Sequence, residues 1–86
     1  MTPVILHWVD AHADPSGGWV QVRDVDQRAY TVTSVGYLVP ADEGGKPGHV
    51  SICQSVGRME GDDEPDALDS ILHVPVGMVV RMVACV

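Results

Sequence analysis

Three polar side chains stand at alternate positions near the start of the chain: Asp10, His12 and Asp14. In an extended segment alternate side chains leave the same face, where two carboxylates and an imidazole are suitable ligands for a divalent metal. However, an apolar run ends at Asp10 and a turn rich in Pro and Gly follows, and aspartate in such a turn commonly binds backbone N–H groups. We therefore favour turn chemistry here and predict no metal site.

The other groups that could perform catalysis are scattered. The histidines show no His-x-x-x-His spacing, and the serines lie in no nucleophile-elbow pattern. His49 and Cys53 share one face of a predicted strand, but about 13 Å separates residues four apart in an extended chain. No glycine-rich phosphate loop precedes a helix. The sequence therefore predicts a protein that is not an enzyme and needs no cofactor.

Aromatic and arginine side chains form the set with the clearest binding chemistry. Trp, Tyr and Arg dominate binding hot spots, aromatic rings stack on flat bases, and guanidinium groups hydrogen-bond phosphates. Because the chain has no Phe, these aromatic residues are also the natural core residues, and both interpretations stay open. The predicted ligand-binding residues are Trp8, Trp19, Arg23, Tyr37 and Arg81.

The composition indicates one soluble domain, residues 1–86, built from β-strands. Valine dominates an apolar content of 45%, and valine packs well on a pleated surface. No segment is long enough to span a bilayer, and the N-terminus lacks the basic region of a signal peptide. Cys53 and Cys85 are therefore expected to be reduced thiols in a cytoplasmic protein.

The formal charge of −7 restricts the partners. Nucleic acids are bound mainly by clustered cations, and the five Lys and Arg residues are dispersed, so general nucleic-acid binding is disfavoured. Six of the ten residues from Glu60 to Asp69 are acidic, a density typical of a solvated loop. A sharper hypothesis is that this loop mimics a nucleic-acid surface or binds a basic host protein.

Apolar patterning predicts the elements of the first part of the chain. Residues 4–9 read as a buried strand, and residues 19–23 as a second short strand. The strongest strand is 29–39, with Gly36 as a bulge or bend. Residues 49–56 alternate cleanly and are expected to pair with 29–39 as a hairpin.

The C-terminal part completes the predicted fold. Residues 64–68 are expected to start a short helix after the acidic loop, because proline suits the first helical position. Two apolar strands, 70–74 and 79–86, flank a Pro-containing tight turn. The prediction is an all-β domain, a small curled antiparallel barrel of five or six strands, SH3-like or Sm-like, with a short helical turn before the last strand.

Short motifs occur in a fixed order along the chain. They are Trp-Val-Asp-Ala at 8–11, Gly-Trp at 18–19, Ser-Val-Gly-Tyr-Leu at 34–38 and Leu-His-Val-Pro-Val-Gly-Met at 72–78. In their order and spacing the chain resembles small tailed-bacteriophage proteins with a compact β-barrel. The resemblance implies a phage origin and a barrel, and it implies no assigned activity.

These observations lead to one functional expectation and two alternatives. The expectation is a non-enzymatic phage accessory protein in the host bacterial cytoplasm that sequesters a host molecule, in its sharpest form an anti-defence sponge for a nucleotide immune signal. The alternatives are an inhibitor that binds a host protein through the acidic loop and an Sm-like RNA-binding module. Because so small a barrel would form its pocket between subunits, we expect a homo-oligomer and no membrane partner.

Overall fold

The computed structural model describes residues 1–12 and 17–85. The strands are β1 (Pro3–Asp10), β2 (Tyr30–Val39), β3 (His49–Gly57), β4 (Ala67–Pro75) and β5 (Val79–Ala84). Three single 3₁₀ turns accompany them, at Val22–Asp24, Ala41–Glu43 and Val76–Met78. The described chain is therefore all-β, as predicted, and contains no α-helix long enough to cross a membrane.

The five strands form one antiparallel sheet in the order β4-β3-β2-β1-β5. The edge strands β4 and β5 are consecutive in the chain and are joined only by the 3₁₀ turn Val76–Met78. Four residue steps span at most about 14 Å, whereas the edges of a flat five-stranded sheet lie about 19 Å apart. The sheet must therefore curl, bringing its two edges together at this turn.

The curl does not close the sheet. No ladder joins β4 to β5 among the described residues, so the prediction of a closed barrel is not met. β2 pairs with β3 only between Tyr37–Val39 and Ser51–Cys53. Beyond this short ladder the β1–β2 and β3–β4 strand pairs separate. The molecule is therefore extended: its radius of gyration is 17.0 Å, compared with about 12 Å for a compact chain of this length.

The core lies on the concave side of the curl. Alternation on β1 directs Val4 and Leu6 inward, where they meet Ile52 of β3 and Val74 of β4. Four half-buried residues pack against this cluster: Trp8, Leu38, Val50 and Val79. Contact between strands that are not neighbours in the sheet requires the curl, so the core and the curvature depend on each other.

Two predicted elements are wrong. Residues 19–23 form no strand, because Val22–Asp24 is a 3₁₀ turn. The Trp19 and Val22 side chains are exposed, since no neighbouring strand covers one face of this segment. The helix predicted at 64–68 is absent, because β4 begins at Ala67 and pairs with Gly57 at the far end of β3.

Gly36 does not form the predicted bulge, because the β1–β2 register runs through it without a shift. It lies within β2, and a Cβ atom there would stand 2.7 Å from the Cys53 carbonyl oxygen and 3.2 Å from the Ile52 Cβ. The irregular register instead falls in the β1–β5 ladder, between His7 and Trp8. Glycine at position 36 thus permits a close approach of β2 to β3 where their short ladder begins.

Candidate functional site

The outer face of the sheet carries a row of three polar side chains. Because Leu6 and Trp8 point toward the core, His7 between them points to the opposite face. The register places Thr33 of β2 and Arg81 of β5 directly beside His7. Residues from three neighbouring strands, widely separated in sequence, therefore meet on one surface.

Hydrogen bonds connect this polar row. The Arg81 guanidinium lies 3.3 Å from His7 Nε2, and His7 Nδ1 lies 3.2 Å from Thr33 Oγ1. A guanidinium can only donate, so Nε2 accepts and the Nδ1 proton is donated to the threonine hydroxyl. In this arrangement the His7 imidazole positions the guanidinium on the outer face.

An open cavity of about 400 Å³ lies over this row. It offers a cation, an imidazole, hydroxyl groups and an apolar wall. Its lining residues are His7, Trp8, Thr31, Val32, Thr33, Val80 and Arg81. Small-molecule sites commonly have this size and this combination of an apolar lining with a few polar groups.

Arg81 is available for an anion. Within the described residues one salt bridge occurs, between Arg28 and Asp26 with N–O contact at 2.6 Å, and it does not involve Arg81. The charge of Arg28 is already paired with Asp26. Side-chain and backbone hydrogen bonds from Arg28 hold the pKa of Asp26 far below its usual value, and the Asp26 carboxylate raises the pKa of Arg28. Arg81 has an imidazole beside it instead of a carboxylate. The other three Lys and Arg residues also form no salt bridge within the described residues, but Arg81 is the cation that lines this cavity.

The structure brings together two of the five predicted ligand-binding residues. Arg81 and Trp8 both line the cavity, although the Trp8 ring packs against the core and its Nε1 donates to Ser34 Oγ at 3.1 Å. Trp19 is fully exposed and Arg23 is exposed in the first 3₁₀ turn. Tyr37 is half-buried on β2 and pairs with Cys53, and none of these three lines the cavity.

The threonines and His7 were missed by the sequence analysis. The available signal is the alternation of Thr31 and Thr33 around Val32, which places both hydroxyls opposite the core. That signal identifies a polar face but cannot bring β5 beside it, because Arg81 and His7 are 74 residues apart.

A second unpredicted contact is structural. Ser51 Oγ and His73 Nδ1 lie 2.6 Å apart, the arrangement of a nucleophile and its base. Yet Ser51 is 2% exposed, and its oxygen also accepts the Lys46 N–H at 3.2 Å. No carboxylate orients His73 among the described residues, so the pair fastens the β2–β3 connection to β4 and offers no accessible nucleophile.

The metal interpretation finds no support in the described part of the chain. Asp10 Oδ1 accepts the Ala11 N–H at 2.8 Å, which is the turn chemistry predicted for it. His12 lies against the Tyr30 ring, with 5.9 Å between ring centroids, and Asp14 lies outside the described residues. Residues 1–12 and 17–85 contain no group of three ligand side chains that could hold a metal.

The acidic connection between β3 and β4 carries exposed carboxylates at its tip. Asp66 N–H donates to the Gly57 carbonyl and closes the loop, and Arg58 donates to the Asp63 carbonyl rather than to a carboxylate. The exposed acidic residues are Glu60, Asp62, Asp63, Glu64 and Asp66.

Comparison with known proteins assigns the chain to no family. No protein-family model, curated protein or solved structure matches the chain.

Proposed function

We propose that this protein is a non-enzymatic binding domain that holds a small phosphorylated ligand, a nucleotide, in the cavity over the row Arg81–His7–Thr33. The observation that carries the proposal is the Arg81 guanidinium, held by His7 and without a carboxylate partner among the described residues. Of the cations that form no salt bridge within the described residues, Arg81 is the one that lines this cavity. Guanidinium groups bind phosphate with short, charge-assisted hydrogen bonds.

The rest of the cavity suits the other parts of a nucleotide. Thr31 and Thr33 line the same cavity on the other side of His7 from the guanidinium, and their hydroxyls can hydrogen-bond a sugar or a second phosphate oxygen. Val80 is largely exposed at the rim and offers an apolar surface to a base. No nucleophile or metal ligand set accompanies these groups in the described chain, so the proposed role is retention of the ligand without reaction.

The proposal extends to the setting in which such a binder acts. The sequence resemblance to small tailed-bacteriophage proteins supports a phage accessory protein in the host bacterial cytoplasm, and there a sequestered nucleotide would be an immune signal. We further propose kinship with SH3-like and Sm-like barrels, supported by the 3₁₀ turn Val76–Met78 between the last two strands. Assembly of several copies, which would enclose the shallow cavity, belongs to the same proposal.

Arg81→Gln is expected to weaken nucleotide binding at least about tenfold, since a hydrogen bond to a charged group contributes about 1.5–3 kcal/mol. Isothermal calorimetry against a panel of cyclic dinucleotides, cyclic trinucleotides and ADP-ribose derivatives measures the loss. Arg58→Gln is the matched control, because it removes the same charge from the β3–β4 connection and should leave affinity unchanged. Absence of heat with every member of the panel at micromolar protein, or equal losses in both variants, would contradict the proposal.

A second candidate function rests on the acidic connection, whose carboxylates form no salt bridge within the described residues. Here the protein would inhibit a basic host protein by contact with Asp62, Asp63 and Glu64. We expect a stoichiometric partner from bacterial lysate to be retained by the natural chain and lost when these three residues become Ser. Retention of that partner by the triple variant would dismiss this candidate. The third possibility, RNA binding, is opposed by the dispersed cations.

A further inference from the structure

An apolar row lies next to the polar row on the outer face. The register places Val35 of β2 and Val83 of β5 on either side of Ile5 in β1, two residues along from the row Arg81–His7–Thr33. Val35 is 67% exposed and Val83 is 41% exposed, with Ile5 half-buried between them. The solvent face of an antiparallel sheet is ordinarily polar, so this apolar row is a candidate contact surface.

The charges around the apolar row restrict what can cover it. Strands β2 and β5 contain no Asp or Glu, and in β1 the one acidic residue, Asp10, lies at the strand end. Arg81 is the one cation in these three strands. A basic partner would find no carboxylate to pair with on this face, and an anionic membrane would find a single cation. The patch is complementary to another apolar patch without net acidic charge.

The exposed area is large enough for a second copy. The chain exposes 6434 Å², whereas a compact protein of its mass exposes about 4,900 Å². The excess of about 1,500 Å² over a compact protein is larger than the area of about 800 Å² that each partner of a stable interface buries.

We infer that a second copy of this chain covers the apolar row Val83–Ile5–Val35 with its own, in a two-fold arrangement of the outer faces. Such an interface is self-complementary, as a two-fold dimer requires. The dimer itself does not depend on the proposed function. Only its consequence rests on that function: the second copy would stand beside the Arg81 cavity and enclose it.

Light scattering coupled to size exclusion, on the full chain without nucleotide, tests the inference. The natural chain is expected to be a dimer, and Val35→Glu is expected to raise the dimer dissociation constant by about a hundredfold or more, because it places a carboxylate in the centre of the apolar contact. Val83→Lys, on a different strand, should act likewise. Val22→Glu is the control, a valine that is 90% exposed in the first 3₁₀ turn and lies outside the apolar row, and it should remain a dimer.

Far-UV circular dichroism of each variant establishes that the sheet is retained. A monomeric natural chain, or a Val35→Glu variant and a Val83→Lys variant that both stay associated, would overturn the inference. Dissociation by Val22→Glu alone would place the contact elsewhere and overturn it as well. Because no nucleotide is present, these outcomes are independent of the calorimetric test of Arg81→Gln.

Discussion

Leu6→Ala is expected to lower the free energy of unfolding by about 3 kcal/mol, within the range for a leucine removed from a packed core. Leu6 has 0% exposure and contributes to the cluster that joins β1 to β3 and β4. Small domains have stabilities near the lower end of about 5–15 kcal/mol, so this loss leaves a marginal fold. Denaturation by urea followed by far-UV circular dichroism measures it.

The control for this prediction is Leu72→Ala on β4. Leu72 is 36% exposed, so the same truncation removes less packing and should cost about 1 kcal/mol or less. Similar losses for Leu6 and Leu72 would mean that the concave cluster is not the core of the molecule.

Gly36→Val is expected to destabilise the protein by about 3 kcal/mol through a different mechanism. The first added carbon would stand 2.7 Å from the Cys53 carbonyl oxygen, and this oxygen belongs to backbone and cannot rotate away. The substitution therefore forces β2 from β3 at the Tyr37–Cys53 pair, which begins the short ladder between them. Thermal unfolding by circular dichroism would record a lower midpoint.

Gly77→Ala serves as the control for Gly36→Val. No atom lies within 4 Å of a Cβ built at Gly77, so the change should stay within about 0.5 kcal/mol. If Gly36→Val were as mild as Gly77→Ala, the close approach of β2 to β3 would be absent in solution.

The sequence predicted β2 and β3 most closely, and the apolar runs predicted as strands at 4–9 and 70–74 fall within β1 and β4. Residues 29–39 and 49–56 contain regular apolar alternation, and they coincide with β2 and β3 to within a residue. The stretch 19–23 alternates as well, but Trp19 is fully exposed, so the apolar side chains of this stretch have no surface to pack against. Local alternation thus predicts extended backbone only where a neighbouring strand is available to pair.

The candidate site was predictable in part, for a reason of topology. Residue type alone predicted Arg81 as a candidate phosphate-binding residue, and the structure places it in the cavity. His7 and Thr33 join it through the register of β1 with β2 and β5, and this register spans the long segment 11–29 and the whole length of the chain. No local pattern encodes such a pairing. The predicted closure of the barrel was wrong because it depended on pairing between β4 and β5. A tight turn joins these strands, but no local pattern shows whether they also pair.

The central claim is that the cavity over Arg81, His7 and Thr33 holds a nucleotide. Amide NMR spectra of the labelled protein, recorded during titration with the nucleotide that gives the largest heat, test it most directly. The account predicts saturable shifts concentrated at residues 7, 31–33 and 80–81, and their loss in Arg81→Gln. Shifts confined to the acidic connection 58–66, or to the segment 17–29, would contradict it.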